Sequence, residues 1–364
     1  MGRKWIETLR ANPDVELVGL VELDLGTAHA AAREFQLGAV SIGSNLTDVA
    51  RTSSADAVIN VTIPAAHHPV NTEALFAGLP VLCEKPVAPT VAESLSLAAA
   101  AEVSGQLLMI SQSRRYFRAL TELKAQVQGL GDLGVVTSDF FKAPHFGGFR
   151  EEMEHVLLVD MAIHPFDLVR YLLDQDPVSV YCEEFNPSWS WYAGDAAATA
   201  VFGMSGGTRF IYTGSWCSEG LETSWNGSWR VNGERGSAQW DGDSSPVVEH
   251  AAGTSNSSDT GPGDHAEEIA GALEEFVSAL GTGVVPSGEV HSNVLSLAMV
   301  EAAVMSADSH QRILIADVVE EAYHLALATE RRADVKTALA SWGSPQRVLG
   351  GGASSIPALP AGHS

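Results

Sequence analysis

The chain has 364 residues, enough for two domains of ordinary size, each with its own core. A formal net charge of −24 sets it against phosphate backbones, so nucleic acid is not an expected partner. Hydrophobic residues make up 45% and charged residues 18%, which excludes a wholly disordered chain, and three scattered cysteines fit neither a disulfide framework nor a zinc site.

The first third alternates short apolar runs with helical spacings. Residues 4–10 carry Trp5, Ile6 and Leu9 at helical positions, and Asn12-Pro13-Asp14 ends that helix. Residues 15–21 read as a strand, 27–35 as an alanine-rich helix, 57–61 as a strand and 70–76 as a helix. A strand at 79–83, a helix at 91–103 and a strand at 106–111 close the series. This is the pattern of βαβ units with a parallel sheet. A helix-like segment from Thr121 then leads to a strand at 135–141, followed by the loop KAPHFGGFREEMEH and a long helix at 156–173. Strands at 178–185, 197–204, 208–215 and 228–232 suggest an antiparallel sheet, with a turn at Asn232-Gly233-Glu234-Arg235-Gly236. A polar, glycine-rich loop at 251–264 precedes helices at 265–280 and 290–309, a short strand at 312–316 and a last helix to about Ala340. The tail from Gly343 has no core-forming pattern and reads as disordered.

No apolar run is expected to be long enough to span a bilayer, and the first residues lack the apolar centre of a secretory signal. Cys83, Cys182 and Cys217 read as buried thiols of a reducing compartment. A cytoplasmic protein without a membrane partner is expected.

A dinucleotide-binding fingerprint opens with a strand and G-x-G-x-x-G entering a helix, whose N–H groups hold the pyrophosphate. This chain begins with the helix. Glu22 stands 20 positions after Gly2 and just after a strand, where the ribose-binding carboxylate belongs. Gly2 therefore fits the third glycine, required for close packing of helix on strand. The first strand and first two glycines are expected upstream of Met1.

The run from Asp56 to Pro86, DAVINVTIPAAHHPVNTEALFAGLPVLCEKP, resembles the glucose–fructose oxidoreductase and inositol dehydrogenase (Gfo/Idh/MocA) family. The family pattern is a strand, T-P-x-x-x-H, a helix with A-L-x-A-G, a strand, then E-K-P; Ile63 stands at the usual first Pro. Asp160-Met161-Ala162-Ile163-His164 with Asp167 matches the D-x-x-x-H segment, and Ser113-Arg114-Arg115-Tyr116 is similar to N-x-R-F/Y, with Ser113 replacing Asn. The resemblance runs from Gly2 to about Ala316.

It implies an α/β fold: an N-terminal Rossmann domain at 1–111, apparently without its first strand, and an α/β domain at 112–342 with a large, mainly antiparallel sheet, followed by the tail at 343–364. That sheet supports oligomers in the family, so a homodimer or homotetramer is implied. The implied activity is NAD(H)-dependent oxidation or reduction of CH–OH groups in a sugar, polyol or related hydroxy compound. The implied cofactor contacts are Gly2, Glu22, Thr62, Ile63, Pro64, His67, Glu84, Lys85, Ser113 and Arg115. The implied catalytic set is Lys85, Asp160 and His164.

The chemistry suits these residues. Hydride departure from a carbinol carbon requires loss of the hydroxyl proton, and a partly desolvated lysine beside a cationic nicotinamide has a lowered pKa for that task. Asp160 and His164 are four apart on an expected helix, hence on one face, and His titrates near working pH. A carboxylate at Glu22 hydrogen-bonds a ribose 2′-OH and repels a 2′-phosphate, favouring NAD over NADP. Two other readings stay open. One is a cofactor-poor binding protein of the same fold. The other is a metal-dependent sugar-processing enzyme using Glu151, Glu152, Glu154, His155, Asp160 and His164, although no metal is expected on balance.

Overall fold

The structure is a computed structural model describing residues 1–251 and 266–349. The glycine-rich stretch from 252 and most of the tail, whose character was expected from composition, lie outside the described residues. Packing divides the chain into two compact units. One holds Met1–Ser113, Ala266–Val294 and the described part of Ala322–Ser364; the other holds Arg114–His265, as far as described, and Leu295–Glu321.

The first unit opens with α1 (Gly2–Ala11), which buries Trp5, Ile6 and Leu9 on one stripe. Next come β1 (Gly19–Val21) and α2 (Leu25–Glu34), where Asp24 caps the helix by accepting from Gly26 N. β2 (Ser41–Gly43) and α3 (Leu46–Ser53) were not anticipated. β2 is three residues long with a single apolar side chain, too short to register as a pattern. β3 (Val58–Asn60), α4 (Pro64–Phe76), β4 (Val81–Glu84), α5 (Val91–Ser104) and β5 (Leu108–Ser111) complete the series. α5 starts on Thr90, which accepts from Glu93 N, and stops on left-handed Gly105. β1 pairs in parallel with β2, and β3, β4 and β5 form a separate parallel sheet. β4 and β5 are buried throughout, as strands covered on both faces should be.

The second unit contains α6 (Arg118–Gln128), β6 (Leu133–Phe141), a π-helical segment at Leu157–Ala162 and α7 (Ile163–Leu173). The long helix expected at 156–173 is thus two geometries in series. β7 (Pro177–Phe185), β8 (Ala197–Met204), β9 (Arg209–Ser215), β10 (Ser228–Gly233), β11 (Gly236–Trp240) and β12 (Val247–His250) follow. With a two-residue β13 (Ile313–Leu314), the sheet order is β12-β11-β10-β6-β9-β8-β7-β13. Only the β6–β9 pairing among these is parallel. The buried face is aromatic: Phe166 of α7 meets Phe202 at 4.7 Å, Tyr212 at 5.4 Å and Phe210 at 6.3 Å, all edge-on. That wedge fixes α7 across the middle strands.

The chain returns through α8 (Glu268–Thr282) and α9 (Val290–Ser309) to α10 (Ile315–Thr329), α11 (Ala333–Trp342) and a single turn, α12 (Gln346–Leu349). Assigning all of 112–342 to the second domain misses this return. Ile110 N donates to Gly288 O at 2.8 Å, Met109 bridges Glu289, and α11 packs on α5. The single last helix expected to Ala340 is two helices, and Leu349 of the expected tail is buried. Val290–Ser309 is, by length and composition, apolar enough to cross a membrane, contrary to the expectation of no such run, but most of it is buried within the protein.

A buried polar chain pins this return in the first unit. His291 Nδ1 contacts Glu289 Oε1 at 2.7 Å and Nε2 contacts Glu102 Oε1 at 3.0 Å, while Trp342 Nε1 donates to Glu102 Oε2 at 2.9 Å. Burial works against the imidazolium, but the hydrogen bonds and charges of Glu102 and Glu289 outweigh it and raise the His291 pKa to about 9. A raised histidine stabilises the fold fully below its unfolded pKa of about 6.5 and loses that contribution as pH rises through about 9. The linkage amounts to at most about 3 kcal/mol. The melting-temperature gap between wild type and His291→Gln should therefore be widest near pH 6 and shrink toward pH 10. A gap that is flat across that range would show that His291 does not titrate there.

Candidate functional site

In the first unit, Glu22, Thr62, Lys85 and Ser113 follow the C-terminal ends of β1, β3, β4 and β5. Ligands of open α/β sheets bind at such ends. Asn60, buried at the end of β3, organises the first loop. Its Oδ1 accepts from Thr62 N at 3.1 Å and Thr62 Oγ1 at 2.8 Å, and its Nδ2 donates to Asn71 Oδ1 at 2.7 Å. Ile63 caps α4 with an extended backbone and is 68% exposed, and Pro64 opens the helix where a missing N–H costs nothing.

His67, expected as a cofactor contact, is buried. Nδ1 lies 2.6 Å from Pro86 O and Nε2 lies 3.1 Å from Thr62 O. The ring ties the Thr62 loop to the Lys85-Pro86 loop, so it holds the two strand ends together from within. Glu84 is likewise buried: Oε1 accepts from Trp5 Nε1 at 2.7 Å and Oε2 from Lys85 N at 3.3 Å. Trp5 was read only as a helix-face residue, because a partner 79 positions away leaves no local signal. Lys85 is half-buried, and the Lys85–Pro86 peptide is cis. Glu22 is exposed; its N–H donates to Gly43 O at 3.1 Å and its Oε1 accepts from Asp24 N at 3.2 Å.

Among the described residues, a Cβ on Gly2 would meet Val61 Cγ2 at 3.9 Å, an ordinary contact. One expectation changes. Arg115, expected on the cofactor, is buried in the second unit. Its Nε donates to Asp167 Oδ2 at 2.7 Å and its Nη2 to Asp167 Oδ1 at 2.5 Å, while Ser296 Oγ donates to Oδ1 at 2.7 Å. Only Ser113 of that segment remains in the first unit, opening a 3₁₀ turn.

In the second unit, the segment before α7 is held by the 191–195 loop. Ala193 N donates to Glu151 O and Asp195 N to Glu154 O, both at 2.8 Å. A Cβ on Gly194 would collide with the Met153 and Glu154 carbonyls, so only glycine permits this approach. His155 Nδ1 pairs with Glu184 Oε2 at 2.7 Å, and burial raises the Glu184 pKa to about 7 against the pull of His155. Asp160 and His164 are both half-buried, whereas Met161, Ala162 and Ile163 between them are buried. The π geometry, with its i→i+5 hydrogen bonds, recurs at functional sites. Arg150 Nε donates to Asp160 Oδ2 at 2.8 Å, and its guanidinium lies over Phe146 at 5.2 Å and Phe149 at 4.9 Å.

The crowded acidic and histidine side chains thus resolve into separate contacts: Glu151 with Gly147 N, His155 with Glu184, Asp160 with Arg150. Among the described residues, no group of three or more His, Cys, Asp or Glu side chains converges as metal ligands. Burial pushes the Cys83 thiol up and the Cys182 thiol up to about 12, so neither is a nucleophile. Of the tryptophans, Trp216, Trp229 and Trp240 are core, whereas Trp189 is 71% exposed.

Residues 1–112 match the oxidoreductase family with an NAD-binding Rossmann fold, and residues 122–239 match the GFO/IDH/MocA C-terminal domain. An uncharacterised protein of Sinorhizobium fredii is 26% identical over 338 residues, which span 88% of this chain and 94% of that protein. Inositol 2-dehydrogenase 2 of Paenarthrobacter aurescens is 30% identical over 192 residues, 51% of this chain and about half (53%) of that enzyme. A crystal structure of an oxidoreductase from Agrobacterium radiobacter, in complex with NAD+, L-tartaric acid and magnesium, superposes with a TM-score of 0.75 at 16% identity, covering 86% of this chain and 95% of that one.

Proposed function

Since the chain belongs to the Gfo/Idh/MocA family of NAD-binding oxidoreductases, we propose that it is a dehydrogenase of CH–OH groups acting on a sugar, polyol or related hydroxy compound, with Lys85, Asp160 and His164 as its catalytic set. The observation that supports this reading is that Thr62, Lys85 and Ser113 follow the C-terminal ends of the parallel strands β3, β4 and β5, and Glu22 that of β1, in an NAD-binding fold. The donor set fits the cofactor. Glu22 offers an exposed carboxylate to ribose hydroxyls, and Thr62 and Ile63 present the first turn of α4. NAD supplies a hydride acceptor when bound.

The chain's own residues supply the rest. Lys85 Nζ accepts the substrate hydroxyl proton, and Glu84 fixes its backbone through Lys85 N. His67 keeps the Thr62 and Lys85 loops in register. His164 hydrogen-bonds a substrate hydroxyl and shares in moving its proton, and Asp160 orients the substrate. The inositol 2-dehydrogenase likeness favours a cyclic polyol or sugar as the substrate class. Glu22 favours NAD over NADP. The buried, unpaired thiols suit a cytoplasmic enzyme, and the half-exposed sheet face carrying Phe141, Val201 and Ile211 suits packing between copies in a homodimer or homotetramer.

Fluorescence titration with NADH and NADPH tests the cofactor assignment. NADH should bind at least about tenfold more tightly, and Glu22→Ala should narrow that gap. Equal affinity in wild type would remove Glu22 from cofactor selection, and no binding of either would leave the dehydrogenase reading without its cofactor.

A further inference from the structure

The chain carries 45 acidic and 21 basic residues, yet two arginines converge on residues 160 and 161. Arg150 Nε is committed to Asp160 Oδ2. Arg114 reaches Met161 Sδ with Nη2 at 3.7 Å and the Trp225 carbonyl with Nη1. Lys142, paired with Glu222 Oε2 at 2.9 Å, lies over the Trp225 ring at 5.3 Å.

Arg150 is built into place. Its guanidinium lies over the Phe146 and Phe149 rings, Gly147 N donates to Glu151 Oε1 at 2.9 Å, and Ala193 N donates to Glu151 O. Its side chain is 36% exposed, and its two Nη groups make no hydrogen bond among the described residues. With Nε spent on Asp160, the outer edge of the guanidinium presents a preorganised pair of N–H donors. That edge matches the two oxygens of a carboxylate, to which a guanidinium donates charge-assisted hydrogen bonds.

We propose that Arg150 is a specificity-determining residue that binds a carboxylate on the substrate, making the substrate a sugar acid or polyhydroxy acid. This rests on the dehydrogenase reading above, because it takes Asp160 as a substrate-side residue. Asp160 holds Nε and so sets the direction of the guanidinium, while Phe146 and Phe149 lie against it. The acid group is the handle, and the reacting carbinol lies elsewhere on the same molecule.

The test uses the full chain, Arg150→Met and Arg150→Lys, with D-glucuronate and D-gluconate against myo-inositol, D-glucose and D-glucose 6-phosphate. In wild type, kcat/KM for the better acid should exceed that for the neutral compounds at least about tenfold. Arg150→Met should cut that acid-to-neutral ratio about tenfold or more through KM for the acid, and Arg150→Lys should restore part of it. A preference for neutral compounds or for the phosphate ester overturns the assignment, as does an equal loss for acid and neutral substrates in Arg150→Met, which would leave Arg150 only positioning Asp160. Calorimetric titration with D-glucuronate separates the two readings. Arg150-dependent acid binding without turnover of any CH–OH compound sinks the dehydrogenase reading alone. Turnover of neutral polyols without Arg150-dependent acid binding sinks the carboxylate site alone.

Discussion

Lys85→Met is expected to lower kcat/KM by a factor on the order of 10² to 10⁴, the range spanned by a positioned acid–base group. NADH affinity should stay within a few-fold of wild type, because the substitution removes Nζ and leaves the loop backbone in place. That backbone is held independently: Glu84 Oε2 takes Lys85 N, Glu84 Oε1 takes the Trp5 indole, and His67 bridges Pro86 O and Thr62 O. Steady-state kinetics beside fluorescence titration checks both halves of the expectation. Loss of NADH binding in parallel with turnover would mean that Lys85 holds the cofactor instead of moving a proton. Full activity would remove it from the chemistry.

The second large effect falls on stability. Asp167→Ala leaves the Arg115 guanidinium in the interior of the second unit without its bidentate partner, and breaking one side of a buried pair costs about 3–5 kcal/mol. The melting temperature should fall by on the order of 10 °C. Arg115→Met combined with Asp167→Leu should recover much of that loss, since replacing both partners by apolar groups removes the stranded charge. The pair does not stand alone: Ser296 Oγ donates to Asp167 Oδ1 and accepts from Arg170 Nη1 at 2.8 Å, and Arg170 Nη2 reaches Asp176 at 3.0 Å. Thermal unfolding of the single and double variants checks this. An unchanged melting temperature together with weakened NADH binding in Arg115→Met would return Arg115 to the cofactor.

Much of the first unit was legible in the sequence because its signals are local. The apolar runs around Val58, Val81 and Leu108 alternate with helical segments, and the Thr62 and Lys85 motifs follow the strands at family spacing. What was lost is what depends on distant partners. Arg115 was read as a cofactor contact because its partner Asp167 lies 52 residues away. The buried roles of His67 and Glu84 depend on Pro86 O and Trp5, and composition says nothing of either. The Arg150–Asp160 pair spans ten positions across a loop, a separation that no helical or strand period marks. The π-helical segment leaves the apolar pattern of 156–173 nearly intact, so the sequence reads as one α-helix although the backbone is not. The return of α8 and α11 to the first unit was invisible for the same reason. Chain order suggested that everything after 112 belonged together, whereas the Ile110–Gly288 hydrogen bond and the Glu102–His291 contact are set only in three dimensions.

The most direct test of hydride chemistry is isotope transfer. The chain is incubated with NAD+ and sugar, polyol and sugar-acid candidates carrying deuterium at their carbinol carbons, and the nicotinamide ring is then analysed by mass spectrometry. Deuterium should appear in the reduced ring with at least one candidate in wild type, and drop by a factor on the order of 10² or more with Lys85→Met. Reduced nicotinamide without label, or label transfer undiminished in the Lys85 variant, would contradict hydride transfer from a carbinol carbon with Lys85 as its proton acceptor.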